Sequence, residues 1–290
     1  DDDILNVTSA GSITYSDNKA VDLEDISGVQ ITNDGTIQTE SGTNKQIAIN
    51  AESSLNTTIT NNGTINSDNK YGVILSYAEN VVITNNAGAT ISADGNTAIY
   101  GKNVGNCHFN GTNCHADLSG QSNGVGLTLH NHGTITSQHE TVWLGSGSSG
   151  AHRSKGIKIY NYDGGIIKTT DEGDSPIKGF HLVDFEIINY KGATIESADR
   201  HVVNTEQSED INFTNNGTMT ATSKSAFYCK TCSDVTFNNT GTMTSGNNAV
   251  VISNGDNISI TNSGTITATT DNSGLNISST DGTVVTNTGT

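Results

Sequence analysis

The sequence predicts an all-β chain: a right-handed parallel β-helix, a solenoid with three short strands per turn and about eleven turns of ~24 residues. Three observations lead there. A short phrase, Asn-x-Gly-Thr-Ile or a close variant, recurs at 33–37, 61–65, 131–135, 215–219, 239–243 and 262–266, with looser copies at 87–91, 164–167 and 191–195. Between copies, apolar and polar residues alternate with period two, the pattern of strands with one buried face. The composition fits as well: Thr, Ser, Asn and Gly dominate, and one proline among 290 residues suits a chain whose amides nearly all feed ladders.

The elements can be placed in order within one turn. In 249–267, Val250 and Ile252 alternate with Val251 and Ser253 as a first strand. A five-residue corner, 253–257, follows; Ile258 and Ile260 then alternate with Ser259 and Thr261 as a second strand. Asn262 makes the next corner, and Thr265-Ile266-Thr267 is a third short strand. Each strand is too short to stand alone, so the turns must stack and share one apolar interior. The Asn that ends each second strand is expected to supply a left-handed corner conformation and to hydrogen-bond its stacked copies in a ladder. The phrase ends at 13, 37, 65, 91, 135, 167, 195, 219, 243 and 266, a base step of 23–24 residues with insertions. The 44-residue step from 91 to 135 reads as a normal turn beside a shortened one of 20.

Composition bounds the function. The chain reads as a single elongated domain over 1–290, with no linker and no run of apolar residues long enough to span a bilayer. A net charge of −17 argues against nucleic acid as a partner. The four cysteines form two local pairs, Cys107/Cys114 and Cys229/Cys232, which read as disulfides made in an oxidising compartment. On alignment of the turns, Cys229 replaces Ile252 at the inward end of a first strand, Cys232 lies in the corner after it, and Cys107 takes the place of Ile258. Zinc held by Cys107, His108, Cys114 and His115 is the alternative at the first pair, although its spacing is not that of a recognised finger. No metal site and no cofactor is expected otherwise, calcium on the acidic corners excepted.

Departures from a repeat are where function is sought. The corner between first and second strands varies most, and three features stand out. Carboxylates recur there: Glu24, Asp25, Glu52, Glu79, Asp184, Glu206, Glu209, Asp210 and Asp234, followed by Asp256 and Asp281. They are either a solvated edge that keeps the rod soluble or a site for calcium or a basic partner. The 145–156 corner is about seven residues longer than the others and ends in a basic cluster, His152, Arg153 and Lys155, with Lys158 beside it and Trp143, the sole tryptophan, adjoining it. It is either a tolerated insertion or a contact loop. Phe180, His181, Leu182 and Val183 place apolar residues in a corner that is polar elsewhere, as an exposed interface patch or as packing under the long loop.

Motifs for catalysis are weak. Gly173-Asp174-Ser175-Pro176 matches a serine-protease phrase in three residues only, and the Asp199-Arg200-His201 cluster stands alone. The sequence blocks of pectin-degrading β-helix enzymes are absent. Repeated Ile-Thr-Asn-Asn-Gly-Thr-Ile units in an acidic Ser/Thr/Asn/Gly-rich chain resemble the passenger domains of bacterial autotransporters (type V secretion), closest to the adhesin and self-associating group. The resemblance covers essentially the whole chain. It implies a cell-surface rod exported across the outer membrane, with a signal peptide and a C-terminal translocator barrel outside these 290 residues. It also implies adhesion without catalysis, to a host surface glycan or protein or to another copy of the chain, in aggregation or biofilm. The two cysteine pairs depart from the usual passenger. The alternatives are a carbohydrate-active β-helix enzyme acting on an acidic polysaccharide, or a passive stalk that presents a tip domain.

Overall fold

The computed structural model describes residues 3–16, 18–40, 46–105, 107–109, 114–116, 125–146, 153–171, 173–269 and 272–290. The chain is a parallel β-solenoid of about ten turns, with ~26 residues per turn and no helix among the described residues. First strands such as Tyr71–Ile74 and Val250–Ser253 form one 10-stranded sheet. Second strands form an 11-stranded sheet from Ile4–Val7 to Val284–Asn287, and third strands a 10-stranded sheet from Ser12–Tyr15 to Thr265–Ala268. Every pairing in these three sheets is parallel and joins equivalent strands of successive turns.

The recurring phrase accounts for this geometry residue by residue. Its isoleucine is a core column: Ile37, Ile65, Ile91, Ile135, Ile167, Ile195, Met219 and Met243 are fully buried and pair in register. Its glycine is required by close approach. A Cβ on Gly35 would stand 2.2 Å from the Gly11 carbonyl oxygen, and one on Gly63 would stand 2.0 Å from that of Gly35. Its asparagine is a ladder. Asn33, Asn61, Asn85, Asn131, Asn161, Asn189, Asn215, Asn239 and Asn262 are buried, and each donates its side-chain N–H to the amide oxygen of the next at 2.7–2.9 Å, ending on Asn287.

The ladder expectation is thus met, but the conformational one is corrected. No ladder asparagine has positive φ; they are the last residues of their strands. Left-handed residues occupy the other corner, where they stand second and fifth: Ser53 and Asn56, Tyr77 and Asn80, His181 and Asp184, Gln207 and Asp210, Thr231 and Asp234, Asn254 and Asn257. Two such residues three apart turn the chain sharply enough to bring it from one sheet to the next. Where the Asn corner is widened by two residues, a glycine in the left-handed region, Gly88, Gly164 or Gly192, takes the bend.

The 44-residue step is a correction too. Thr90–Ala93 pairs directly with Thr134–Ser137, so 91 to 135 is one turn, not two. The excess lies in an excursion that carries an antiparallel hairpin, Cys107–Phe109 with Cys114–Ala116. Leu127 therefore takes the core position equivalent to Ile258, and Cys107 does not. The side chains of Cys107, His108, Cys114 and His115 lie outside the described residues, and with them the first disulfide and the zinc alternative.

Cys229 and Cys232 are disulfide-bonded and buried in the core. Cys232 is the third residue of its corner, and that position points inward in the middle turns, where Ser54, Ala78, Val104, Leu182, Ser208 and Cys232 are all buried, while Ile26 near the start of the stack is exposed. Size is shared with the strand residue three places earlier. Gly101 faces Val104 and Gly179 faces Leu182, where a Cβ would meet the larger side chain at 2.4 and 2.5 Å, whereas Leu75 accompanies Ala78. Beside the disulfide, Phe213, Phe227 and Phe237 pack with ring centroids 4.8–5.2 Å apart.

Candidate binding face

The outward column of the first sheet is read off the strand register as Asp22, Asn50, Ile74, Tyr100, Trp143, Lys178, Asn204, Tyr228 and Val251. Strand alternation turns these residues away from the core, which their neighbours Ile49, Val73, Ile99, Val142 and Val203 fill, although Asn50 and Ile74 are themselves covered by surrounding side chains. Tyr100 and Trp143 stack at 4.7 Å and 8° between planes, and Tyr71 joins from the other side at 4.7 Å and 31°. The ring faces of the pair cover one another, so the stack offers its edges as an apolar strip. Burial, with Tyr71, Glu52 and Glu140 nearby, raises the Tyr100 pKa, and the phenol stays a hydrogen-bond donor at neutral pH.

Two hollows border this strip. The first, of about 480 Å³, includes Lys19, Asn50, Lys70, Tyr71, Tyr100 and Lys102 in its lining. Lys19 is held there by Asp22 at 3.1 Å and Glu24 at 2.6 Å, and the Lys70 ammonium lies 5.2 Å from the Tyr71 ring centre. The second, of about 300 Å³, is lined by Asp174, Ser175, Lys178, Arg200, His201 and Asn204, with Gly173. Lys178 bridges Glu140 at 2.6 Å and Asp174 at 3.3 Å. Burial works against its charge, but these two carboxylates outweigh burial and hold its pKa above the ordinary lysine value. His201 behaves oppositely. Burial, with Lys224 and Arg200 nearby, lowers its pKa to about 4, and its Nδ1 accepts the Ser225 N–H at 3.2 Å while its ring stacks on Tyr228. It is a neutral ring held in place. No hydrogen bond joins it to Ser175 among the described residues, and Asp199 reaches only Arg200, at 3.9 Å.

The residues singled out by sequence are dispersed. Trp143 belongs to the first-sheet face and not to the loop beside it. Arg153 folds along the rod onto Glu209 at 2.6 Å and the Gln207 carbonyl at 3.1 Å, so its own charge is spent within the chain. Lys155 and Lys158 sit half-buried on the second sheet, with Lys158 opposite Glu186, and His152 lies outside the described residues. The 180–183 corner is not an exposed apolar patch. Leu182 is a core residue, Phe180 is half-buried under the Lys178 ammonium at 5.9 Å, and His181 and Val183 are half-buried. The signal for this was Gly179, which leaves the room that Leu182 fills.

The acidic corners also resolve into parts. Asp184, Asp210 and Asp234 occupy a left-handed position that Asn or Gly fills in other turns, so backbone geometry accounts for them, whereas Asp25 stands at the left-handed second position, which residues as different as Ser53, Tyr77 and Asn254 also occupy. Glu24 pairs with Lys19 and Glu209 with Arg153. Burial raises the Glu79 pKa, and Glu52 and Glu206 are half-buried. No group of three or more candidate metal ligands is found among the described residues. A second aromatic run, His132–Tyr162–Tyr190, stacks at 4.2 and 4.8 Å in the Asn corners. Sequence reading passed over both runs, because insertions separate their members irregularly along the chain. No protein-family model, no curated protein and no solved structure matches this chain.

Proposed function

We propose that this chain is a non-enzymatic cell-surface adhesive rod of the bacterial autotransporter passenger kind, displayed outside the cell, that holds host surface glycans or proteins or another copy of itself. The observation that supports this reading most is the first-sheet face. One unbroken side-chain column carries an aromatic strip with a ligand-sized polar hollow on each side. Such a face suits holding an extended partner by many modest contacts. It gathers charged groups already paired with one another, and the one histidine in the second hollow is neutral and structurally engaged.

The test is display. A non-adherent bacterium carrying the chain on its surface should adhere to host cells or clump with its own kind. Cells that do neither, with the chain demonstrably exposed, would sink the proposal. Turnover of an acidic polysaccharide by the purified chain, abolished on changing Asp199 and Arg200, would favour a carbohydrate-active enzyme instead.

A further inference from the structure

We infer that the first-sheet face binds an acidic oligosaccharide laid along the solenoid axis from Asn50 to Asn204; the inference rests on the adhesive reading and names its ligand class and site. The two ends are marked by the same chemistry. The amide oxygens of Asn50 and Asn204 are buried, and neither has a hydrogen-bond partner in the protein. Asn50 is fully buried, and its orientation is fixed, because its N–H donates to Asp22 at 2.8 Å and Glu24 at 3.4 Å. An acceptor left over in this way calls for a donor from outside the chain. Asn50 lines the first hollow and Asn204 the second.

The column between them, Ile74, Tyr100, Trp143 and Lys178, makes five steps of the solenoid, or roughly 24 Å at the spacing of adjacent strands. A ligand reaching both ends is therefore long, narrow and repeating, with hydroxyl donors at intervals and apolar ring edges to lie on the aromatic strip. Charge selects its sign. Lys19, Lys178 and Arg200 are each held by carboxylates of the chain, but Lys70 and Lys102, which line the first hollow, form no salt bridge among the described residues, in a chain of net charge −17. The first hollow is therefore where an anionic group is best received, and the second contributes the Asn204 acceptor. A sugar acid supplies the hydroxyls, the apolar ring face and the carboxylate together.

The experiment is titration calorimetry of the purified chain with a galacturonate pentasaccharide, the corresponding disaccharide and maltopentaose. The pentasaccharide should bind at least about tenfold more tightly than either other sugar, because only it carries charge and reaches both hollows. Its affinity should fall as sodium chloride is raised. Asn204→Ala and the double change Lys70→Ala/Lys102→Ala should each weaken binding about tenfold, and Thr220→Ala, on the third sheet, should leave it unchanged. Asn204→Ala should not lower the melting temperature, since it removes an unpaired oxygen; a merely structural asparagine would show the reverse. No binding of the pentasaccharide, equal binding of maltopentaose, or equal loss in Thr220→Ala overturns the inference. If displayed cells adhere and the Lys70→Ala/Lys102→Ala variant adheres equally well, this site is refuted and the adhesive reading stands. If the pentasaccharide binds as described but displayed cells neither adhere nor clump, the adhesive reading falls and the site remains.

Discussion

Single residues carry opposite kinds of information in this chain. Asn161 is one link among many, yet it serves four partners. It accepts from Asn131 at 2.7 Å, donates to Asn189 at 2.9 Å, and reaches the carbonyls of Gly165 and Thr194 at 3.2 and 3.0 Å. Asn161→Ala strands a buried donor on one side and a buried acceptor on the other, so the expected loss is about 2–4 kcal/mol in urea unfolding. Asn161→Asp should be worse at pH 7 than at pH 4. An ionised carboxylate cannot donate to Asn189 or to the two carbonyls, whereas a protonated one can give a single hydrogen bond. His201 sets a second pH dependence. Its folded pKa, about 4, lies below the ordinary value of 6.5, so the folded state binds fewer protons there than the unfolded state does. Its contribution is complete above pH 6.5 and is lost as pH falls toward 4, up to about 3 kcal/mol in all. His201→Gln keeps an acceptor for the Ser225 N–H but does not titrate, so its stability should fall less between pH 6.5 and 4.5 than that of the parent. Equal slopes in thermal melts across that window would contradict the assignment.

At the scale of the element, what was legible and what was not divides by repetition. The core columns and the asparagine ladder repeat without exception from 33 to 262, so period and alternation disclosed them. The acidic corner looked like a site because its charge recurs, but a recurring Asp at 184, 210 and 234 alternates with Asn56, Asn80 and Asn257 for the sake of backbone shape. Replacing Asp234 with Gly should therefore cost a few tenths of a kcal/mol, and Asp234→Val about 1–2 kcal/mol, since only the latter clashes in the left-handed region. The candidate face was hidden for the converse reason. Tyr100, Trp143, Lys178 and Asn204 differ in type and are unevenly spaced, so only the strand register makes them neighbours. The disulfide belongs to this scale as well. Both cysteines are inward-facing and buried, so Cys229 and Cys232 of the folded chain should resist a mild reductant at 25 °C and take up a thiol-reactive label only after denaturant is added, as mass spectrometry of their peptide would report.

The whole molecule is a rod whose turns touch only their neighbours in the stack, with 30 acidic residues against 13 basic ones. Its electrostatics separate the two kinds of partner that an adhesive rod can have. An acidic sugar of the kind proposed would meet Lys70 and Lys102 in the first hollow, and that attraction would weaken as salt shortens the screening length. A second rod instead brings −17 against −17, so lateral pairing is opposed by repulsion that the same salt relieves. Raising sodium chloride from roughly 20 to 300 mM shortens the Debye length from about 20 Å to about 6 Å. Self-association, followed by sedimentation velocity, should then rise with salt while sugar binding falls. Calcium chloride at matched ionic strength should act on pairing no more strongly than sodium chloride does if screening alone is at work. A sharp rise in pairing with calcium, absent with sodium, would mean instead that the corner carboxylates Glu52, Glu79 and Glu206 hold the ion between rods, and the reading of that edge as solvated scaffold would have to be abandoned.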